Sequence, residues 1–468
     1  MDRDERDAIS RREFLGKTGR TVAGVGLGLA AANALDIQPV HAEPAKKRKP
    51  VAQNEKLNIA LIGCGGMGMG NLGAFKGTGI VNVVALCDVD QAHLDKAASE
   101  NPGAQALKDW RRVLDLKEVD VVIVGTPDHW HALPTIYACQ VGKDVYVEKP
   151  LSHNVVEGRA MVNAARYYKR VVQGGTQQRT DPHFIEAVKY IQSGKLGNIT
   201  LVRTWNSSNE GNGIGNPPDQ PAPPPGVDYD MWLGPAPLRP FNPNRFHWNF
   251  RWFFDYAGGM MTDWGVHLND IALWAMEVDA PTTVSASGGH WALPDNRDTP
   301  DTLEVVYGFA KGGGVNNRPF TLVYSLRKGN GRGMDGHGYG IEFFGTNGTL
   351  FVDRSGWEVY PEGNSIPAEK HSGYDSKDLH VRNFLDCVKG PKDSNGIRPL
   401  PASDVEITHR SSTSCFLGNI AYRTGQKLFW DREREICRDA HGRPIREANI
   451  LLTRDARKPW TLPRIPSA

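Results

Sequence analysis

Two residues four positions apart, Asp263 and His267, could act together on one hydroxyl group. The segment 258–270 reads GGMMTDWGVHLND and predicts a helix from about Asp263 to Met276, on which residues at i and i+4 share a face. Because imidazole titrates near neutral pH, His267 could take the proton of a hydroxyl whose carbon loses a hydride. Asp263 could instead cap the helix, since it follows Thr262 at the expected helix start.

Acidic and imidazole groups could also bind a metal ion, with Asp263 and His267 joined by His129 or His131. These residues do not form a compact ligand motif, and we therefore predict no metal site. The six cysteines include no C-x-x-C pair and no zinc-ligand spacing, and we expect most of them to be small buried residues.

Short apolar runs alternate with helical stretches between residues 57 and 180, which predicts a doubly wound parallel sheet of the Rossmann type. The expected strands are 57–63, 81–88, 119–127, 144–150 and 170–176, and the expected helices are 91–101, 132–142 and 155–169. Beyond residue 181 strand follows strand, which predicts a C-terminal α+β domain with a large, mostly antiparallel open sheet.

Residues 206–256 contain 10 of the 31 prolines of the chain. So long an irregular segment is typical of a lid or a subunit-contact arm rather than of an ordinary connection. The predicted organisation is an N-terminal leader (1–42), a linker (43–56), a first domain with the parallel sheet (57–180), a second, α+β domain for substrate and subunit contacts (181–430) and a C-terminal tail (431–468).

A glycine-rich turn follows the first expected strand, with Gly63, Gly65 and Gly68 in a G-x-G-x-x-G pattern. The glycines permit a tight turn, backbone approach to a pyrophosphate and close packing of helix on strand, and we expect Gly66 and Met67 beside them to contact the cofactor. Asp88 ends the second strand, 20 residues after the last glycine, where a carboxylate binds ribose hydroxyls and repels a 2′-phosphate. The pattern therefore predicts NAD and makes NADP the less favoured cofactor.

Three further motifs, TP-x-x-x-H at 126–131, E-K-P at 148–150 and GG-x-x-x-D-x-x-x-H at 258–267, accompany this turn. Together they resemble the Gfo/Idh/MocA oxidoreductase family, over almost all of residues 57–430. The resemblance implies that Lys149 touches both the substrate hydroxyl and the nicotinamide, and that Asp263 and His267 are the acid and histidine of the second domain. The other cofactor-binding residues that it implies are Thr126, Pro127, His131 and Glu148.

The candidate substrate residues are less specific. Segment 244–259 mixes aromatic and charged residues, including Arg251 and Trp252, which fits a carbohydrate site and an aromatic subunit interface equally. Trp130 could stack on a ligand or only pack. Arg179 lies in the expected interdomain segment, and Asp270 could contact substrate or orient His267.

The N-terminal sequence SRREFLGKTG, residues 10–19, resembles a twin-arginine (Tat) export signal. The apolar run at 21–35 is too short to span a bilayer, and VHA at 40–42 resembles a cleavage site, although an uncleaved or lipid-anchored tail is the alternative. We therefore expect a periplasmic or envelope protein without stable membrane insertion. The net charge of +2 indicates no nucleic-acid partner, and we expect a homodimer or homotetramer.

These features predict an exported NAD-dependent oxidoreductase acting on a hydroxyl of a sugar, glycoside or polyol. Because the periplasm offers no diffusing NAD pool, the cofactor should stay tightly bound and be restored in each turnover. One alternative is a redox-neutral NAD-dependent glycosidase that oxidises C3 transiently and eliminates the aglycone. The other is a cofactor-binding sensor without turnover, against which the retention of Lys149, Asp263 and His267 argues.

Overall fold

The computed structural model describes residues 55–310 and 315–465. The predicted signal peptide lies outside the described residues. All six cysteines, Cys64, Cys87, Cys139, Cys387, Cys415 and Cys437, are buried and unpaired. Among the described helices, none combines the length and the apolar character that a membrane crossing requires.

The first domain contains a six-stranded parallel sheet in the order β3-β2-β1-β4-β5-β6. Its strands are β1 (Leu57–Ile62), β2 (Val81–Cys87), β3 (Gln105–Leu107), β4 (Val121–Val124), β5 (Asp144–Val147) and β6 (Val172–Gly174). Its helices are α1 (Gly66–Gly77), α2 (Gln91–Glu100), α3 (Trp110–Asp115), α4 (Ala132–Gln140) and α5 (Val155–Tyr167). The strand order reverses between β1 and β4, so the carboxyl ends of these strands flank the crevice where this fold binds ligands.

The second sheet has ten strands in the order β14-β13-β12-β11-β7-β10-β9-β8-β15-β16, and all its neighbours except β7 and β10 pair antiparallel. The strands are β7 (Ile199–Ser207), β8 (Thr283–Gly289), β9 (Thr302–Phe309), β10 (Phe320–Arg327), β11 (Tyr339–Gly345), β12 (Gly348–Asp353), β13 (Gly356–Pro361), β14 (Glu369–Ser372), β15 (Leu428–Asp431) and β16 (Ile436–Arg438). The helices of this half of the chain are α6 (Pro182–Gln192), α7 (Tyr229–Leu233), α8 (Gly259–Asp263), α9 (Gly265–Ala275), α10 (Lys377–Lys389), α11 (Val405–Thr424) and α12 (Arg446–Ile450). Helices α6, α9 and α11 pack on one face of the sheet, whereas Glu304 and Val306 of β9 are exposed on the other. Both sheets agree with the predicted fold class.

Later parts of the chain return to complete the first domain. Phe384 of α10 packs against Phe75 and Tyr146, and Trp460 of the tail lies edge-on to Trp130 with ring centroids 4.9 Å apart. The two hydrophobic clusters of the first domain therefore include residues from beyond both predicted boundaries, 180 and 430. The sequence could not show this, because an amphipathic pattern marks a buried face without saying which domain covers it.

The helix expected from Asp263 to Met276 is interrupted. Asp263 is the last residue of α8, Trp264 lies between the two helices, and His267 lies in the first turn of α9. The two functional candidates thus occupy a helix–helix junction instead of one continuous helical face.

Candidate active site

One cleft of about 720 Å³ lies at the carboxyl edge of the parallel sheet. The turns after β1, β2, β4 and β5 form one wall, while the other contains α8, α9 and part of the proline-rich segment 206–256, which we call the arm. Predicted residues on the lining are Gly63, Gly65, Gly66, Met67, Asp88, Thr126, Pro127, Trp130, Glu148, Lys149, Arg251, Asp263 and His267. The cleft therefore brings together motifs that lie up to 204 residues apart in the sequence, from Gly63 to His267.

The glycine-rich turn has the geometry that a dinucleotide requires. Gly63 has φ +92°, and a Cβ there would lie 2.7 Å from the backbone of Gly125. A Cβ on Gly68 would lie 1.9 Å from the Gly63 carbonyl oxygen, so α1 can approach β1 only through glycine. Added Cβ atoms on Gly65 and Gly66 would meet no described atom within 4 Å, so the backbone at the start of α1 faces open space. This cradle fits a pyrophosphate held by free N–H groups at a helix N-terminus.

Asp88 follows β2 with its carboxylate held by the backbone. Oδ2 accepts a hydrogen bond from the Cys64 N–H at 2.7 Å, and Oδ1 accepts one from the Asp90 N–H at 2.9 Å. Because the side chain is fixed on the cleft lining, it is placed for the ribose hydroxyls of a dinucleotide. The residues present therefore fit NAD.

The opposite end of the cleft holds an ion-pair cluster centred on Asp263. Lys149 Nζ donates to Asp263 Oδ1 at 2.7 Å and to the Asp263 carbonyl oxygen at 2.9 Å. Arg251 Nη1 donates to Asp263 Oδ2 at 2.7 Å. Burial opposes ionisation of this carboxyl, but the two cations hold the pKa of Asp263 well below its ordinary value. Asp263 is therefore a permanent anion that positions Lys149 and Arg251, and it is a poor proton acceptor.

His267 lies beside this cluster as a neutral base. Its side chain is 5% exposed, and its Nδ1 is buried without a hydrogen-bond partner among the described residues. Burial, reinforced by the positive charges of Lys149 and Arg354, holds the pKa of His267 well below its usual range. The uncharged imidazole lies on the cleft lining, where its lone pair can take a substrate proton transiently, and its low pKa favours passing that proton on.

Asp128, which was not among the predicted site residues, also lines the cleft. It opens the short 3-10 helix Asp128–Trp130 directly after the TP turn. Burial raises the pKa of Asp128 to about 8, with Asp263 adding to this effect and Lys149 and Arg251 opposing it. The only signal in the sequence was an acidic residue inside a motif already assigned to the site.

His131 does not line the cleft. Its ring nitrogens lie 2.7 Å from the Pro150 carbonyl oxygen and 2.8 Å from the Thr126 carbonyl oxygen, so the ring ties the TP turn to the EKP turn. In the second of these turns, Glu148 accepts a hydrogen bond from Asn71 of α1 at 2.8 Å. The structure therefore assigns His131 a supporting position behind the residues it was expected to join.

Three candidate substrate residues are also outside the cleft lining. Arg179 Nε donates to Asp270 Oδ2 at 2.7 Å, and Ser411 Oγ donates to the other carboxyl oxygen of Asp270. Trp252 is buried beneath the guanidinium of Arg297. These contacts are those of the protein core, and the predicted orientation of His267 by Asp270 has no counterpart among the described hydrogen bonds.

Trp130 lies on the cleft lining but is 4% exposed. Its Nε1 donates to the carbonyl oxygens of Met231 and Trp232, both at 3.0 Å. The indole therefore anchors the arm to the first domain, and little of its face is left for a ligand.

The arm crosses the Asp88 end of the cleft. Gln91 N–H donates to the Gly226 carbonyl oxygen at 3.2 Å, and Asp228 N–H donates to the Val89 carbonyl oxygen at 2.9 Å. Farther along the arm, His247 Nε2 lies 2.9 Å from Asp90 Oδ2. The end of the cleft that fits adenosine is thus covered by a segment of the same chain.

Within the described part of the chain, Asp90, His93 and His247 form the one group with metal-ligand spacing, their ligand atoms lying within 4.8 Å of one another. The alternative set considered from the sequence is not assembled, because His129 is bonded to the Trp232 carbonyl oxygen at 2.9 Å and His131 is turned away as described.

Comparison with known proteins identifies both halves of the chain. Three family models match: an oxidoreductase family with an NAD-binding Rossmann fold (GFO_IDH_MocA) at 57–176, its C-terminal alpha/beta domain at 183–290, and the GFO/IDH/MocA C-terminal domain at 237–351. Inositol 2-dehydrogenase 2 of Saccharopolyspora erythraea is 27% identical over 248 residues, 52% of this chain and 61% of that protein. The scyllo-inositol 2-dehydrogenase (NAD(+)) of Bacillus subtilis is 22% identical over 392 residues, 80% of this chain and 97% of that protein.

Among solved structures, a levoglucosan dehydrogenase in complex with NADH and L-sorbose superposes with a TM-score of 0.61. It is 18% identical, and the match covers 80% of this chain and 98% of that one. The predicted fold class and the predicted NAD-binding domain are confirmed.

Proposed function

Because the chain belongs to the Gfo/Idh/MocA family of oxidoreductases, with its NAD-binding Rossmann domain, we propose that it oxidises a hydroxyl group of a sugar, glycoside or polyol. The observation that carries the proposal is the convergence of Lys149, Asp263 and His267 at one end of the NAD cleft. Relatives named for inositol and levoglucosan support a polyhydroxylated substrate.

Bound NAD would accept the hydride. The residues of the chain take up the hydroxyl proton and stabilise the negative charge that develops on the hydroxyl oxygen. His267, held neutral by burial, accepts the hydroxyl proton, a role that contributes about 10²- to 10⁴-fold to such reactions. Lys149 and Arg251 place two positive charges where the hydroxyl oxygen becomes electron-rich. Asp263 holds both cations by direct hydrogen bonds, so their positions are set before substrate arrives.

The arm supports a cofactor that stays bound between turnovers. Its contacts with the first domain, Gln91 to Gly226, Asp228 to Val89 and His247 to Asp90, lie at the Asp88 end of the cleft. A dinucleotide seated there could leave only after these hydrogen bonds broke. Slow release would let one bound cofactor serve successive oxidation and reduction steps.

We also propose that the protein is exported already folded around NAD. The twin-arginine pattern at residues 10–19 carries this proposal, and a retained cofactor is consistent with it because the dinucleotide is available in the cytoplasm. Fractionating cells that express the full chain, with and without Arg11→Lys and Arg12→Lys, tests the location. Protein that stays cytoplasmic with both arginines intact would contradict it.

We further propose a homo-oligomer formed through the outer face of the ten-stranded sheet, where Val306 and Tyr360 are exposed. Light scattering of the wild type and Val306→Lys tests this assignment. A monomeric wild type, or an unchanged mass in the variant, would contradict it.

The deciding experiment for the reaction begins with purified protein whose bound dinucleotide is extracted and identified. The holoenzyme is then mixed with inositols, levoglucosan and glycosides while the reduced nicotinamide is followed spectroscopically. We expect NAD to be present, and substrate to reduce it without releasing it. Lys149→Ala should keep NAD and lose at least about 100-fold in rate, whereas Lys117→Ala, which alters an exposed residue outside the cleft lining, should match the wild type.

Two outcomes would overturn the proposal. Free reduced cofactor accumulating in solution would contradict retention. Failure of the wild type to reduce NAD with every compound would favour the non-catalytic sensor.

A further inference from the structure

The arm and the first domain meet at a cluster of nitrogen and oxygen atoms that could bind a cation. Asp90 caps α2, His93 lies in the first turn of that helix, and His247 lies in the arm, 157 positions after Asp90. One ligand atom from each residue lies within 4.8 Å of the other two. Because of the separation in sequence, no compact ligand motif marks the cluster. The proposed oxidation, at the other end of the cleft, uses none of these side chains.

The buried carboxylate of Asp90 is oriented by the backbone and keeps one oxygen for a further partner. Its Oδ1 accepts a hydrogen bond from the Ala92 N–H at 2.9 Å, and its Oδ2 lies 2.9 Å from His247 Nε2. Among the described residues, no lysine or arginine forms an ion pair with Asp90. Because buried charges in proteins are paired or coordinate metal ions, this oxygen is a suitable ligand for a cation.

The two imidazoles lie side by side next to this carboxylate. The ring centroids of His93 and His247 are 4.3 Å apart, and the side chains are 34% and 38% exposed, so an ion from solvent can reach them. His247 has φ +48°, a left-handed backbone conformation that residues other than glycine rarely adopt. Such a conformation persists where the surrounding contacts require it, and it is concentrated at functional sites.

The ligand atoms select the kind of ion. Two imidazole nitrogens and one carboxylate oxygen are typical ligands of zinc, whereas magnesium and calcium prefer oxygen ligands alone. Bonds of about 2.0–2.1 Å in a tetrahedral zinc site place the ligand atoms about 3.3 Å apart. Atoms that lie within 4.8 Å of one another reach this spacing through small side-chain rotations. Three protein ligands leave the fourth position to water.

We propose that Asp90, His93 and His247 bind a zinc ion that links the arm to the first domain. Two ligands come from the first domain and one from the arm, so an ion held by all three favours the closed arm. Asp88 stays available for a ribose, because its oxygens are held by the N–H groups of Cys64 and Asp90. The site is separate from the proposed oxidation, but its effect on the cofactor rests on the proposed retention of NAD by the arm.

The first test is calorimetric titration of zinc chloride into the holoenzyme, purified without a histidine tag and treated with EDTA. The wild type should bind one zinc ion with a Kd of about 1 μM or lower. His93→Phe keeps a ring beside His247 but removes the ligand nitrogen, and it should bind zinc at least about tenfold more weakly. Magnesium chloride should show no comparable binding to the wild type.

The matched control is His290→Phe. The Nε2 atom of His290 lies 3.3 Å from Asp295 Oδ1 and 3.9 Å from Asp301 Oδ2, so this histidine also neighbours two carboxylates. It does not belong to the group with metal-ligand spacing. His290→Phe should therefore bind zinc like the wild type.

The second test measures the release of NAD with and without zinc, by trapping the NAD that leaves the protein. If only the closed arm bound zinc, a concentration of 100 times the Kd would make the open arm about 100-fold rarer. Because two of the three ligands remain together when the arm opens, we expect zinc to slow release by at least about tenfold. In His93→Phe the same zinc concentration should not slow it.

Crystals of the zinc-loaded holoenzyme give a readout that needs no variant. Anomalous scattering at the zinc absorption edge should locate one ion between Asp90, His93 and His247. A peak elsewhere, a wild type that binds zinc no more tightly than His93→Phe, or equal binding of magnesium would overturn the site. Zinc bound by the three residues without slower release of NAD would overturn the link between the ion and the arm.

These outcomes are distinct from failure of the proposed function, because neither the titration nor the release of NAD involves a substrate. A wild type that oxidises no sugar, glycoside or polyol would overturn the proposed function, and the zinc measurements would still decide this inference. A wild type that oxidises its substrate but binds no zinc would overturn this inference alone.

Discussion

Replacing Asp128 by asparagine should make the folded protein more stable, increasingly so as the pH rises. In the folded state the pKa of this carboxyl is raised by burial from 3.8 to about 8. Between these values the folded protein binds one proton that the unfolded chain has released. Folding stability therefore declines with pH across this window in the wild type, and the variant lacks that decline.

The magnitude follows from linkage at about 1.36 kcal/mol for each pH unit within the window. From pH 5 to pH 8 the stability gap between Asp128→Asn and the wild type should widen by up to about 4 kcal/mol. Other groups that titrate in this range are common to both proteins and cancel in the difference.

The assay is chemical denaturation of both proteins, stripped of cofactor, at several pH values between 5 and 8. Asp95→Asn is the control, because Asp95 lies exposed on α2 and its variant should differ from the wild type by the same amount at every pH. A difference in unfolding free energy between Asp128→Asn and the wild type that does not change with pH would refute the assignment of a neutral acid. A difference that becomes smaller as the pH rises would show that the folded protein stabilises the ionised carboxylate.

Three further predictions concern the cofactor. Asp88→Ala should weaken NAD binding at least about tenfold and reduce the ratio of the affinities for NAD and NADP, as measured by calorimetry. An equal loss of affinity for both cofactors would contradict the contact between Asp88 and the ribose. Gly65→Ala should lose NAD with little change in apoprotein Tm, whereas Gly68→Ala should lower the Tm because its Cβ would clash with the Gly63 carbonyl oxygen; identical Tm values would contradict the two roles. His247→Ala should speed NAD dissociation by about 5- to 30-fold through loss of its contact with Asp90, as followed by trapping released NAD; an unchanged rate would show that the arm does not retain it.

Sequence patterns predicted the parallel sheet well because its strands are buried on both faces and read as continuous apolar runs. β3 was not predicted, since its three residues Gln105–Leu107 are largely exposed and carry no such run. The strands after residue 355 were not predicted either: β14 is nearly all exposed and polar, and β15 and β16 have only four and three residues. Packing of α10 and Trp460 onto the first domain depends on long-range contacts that local patterns do not encode.

The candidate site, like the fold, was predicted only in part from the sequence. Residues within recognisable motifs, such as Lys149 and His267, are assembled in the cleft, and their catalytic roles stay predictions. Arg251 was predicted to contact substrate; it lines the cleft and donates a hydrogen bond to Asp263, and its contact with substrate stays a prediction. Asp128 escaped notice because its acidic side chain becomes distinctive only through burial, which the sequence does not reveal. Arg179 and Asp270, which were predicted to contact substrate, form an ion pair with each other in the core, where buried charges are commonly paired.

Retention of the cofactor and the chemistry of the cleft share one short segment of the arm. The 3-10 helix His247–Trp252 begins with the residue that contacts Asp90 and contains Arg251, which contacts Asp263. An arm that opened enough to release a dinucleotide would also withdraw one of the two cations from Asp263. We therefore expect chemistry and cofactor exchange to exclude each other, because one segment carries both the contact with Asp90 and the contact with Asp263. A reaction that oxidises and then reduces its substrate needs this coupling. The reduced cofactor must stay bound until it has returned its two electrons to the oxidised intermediate.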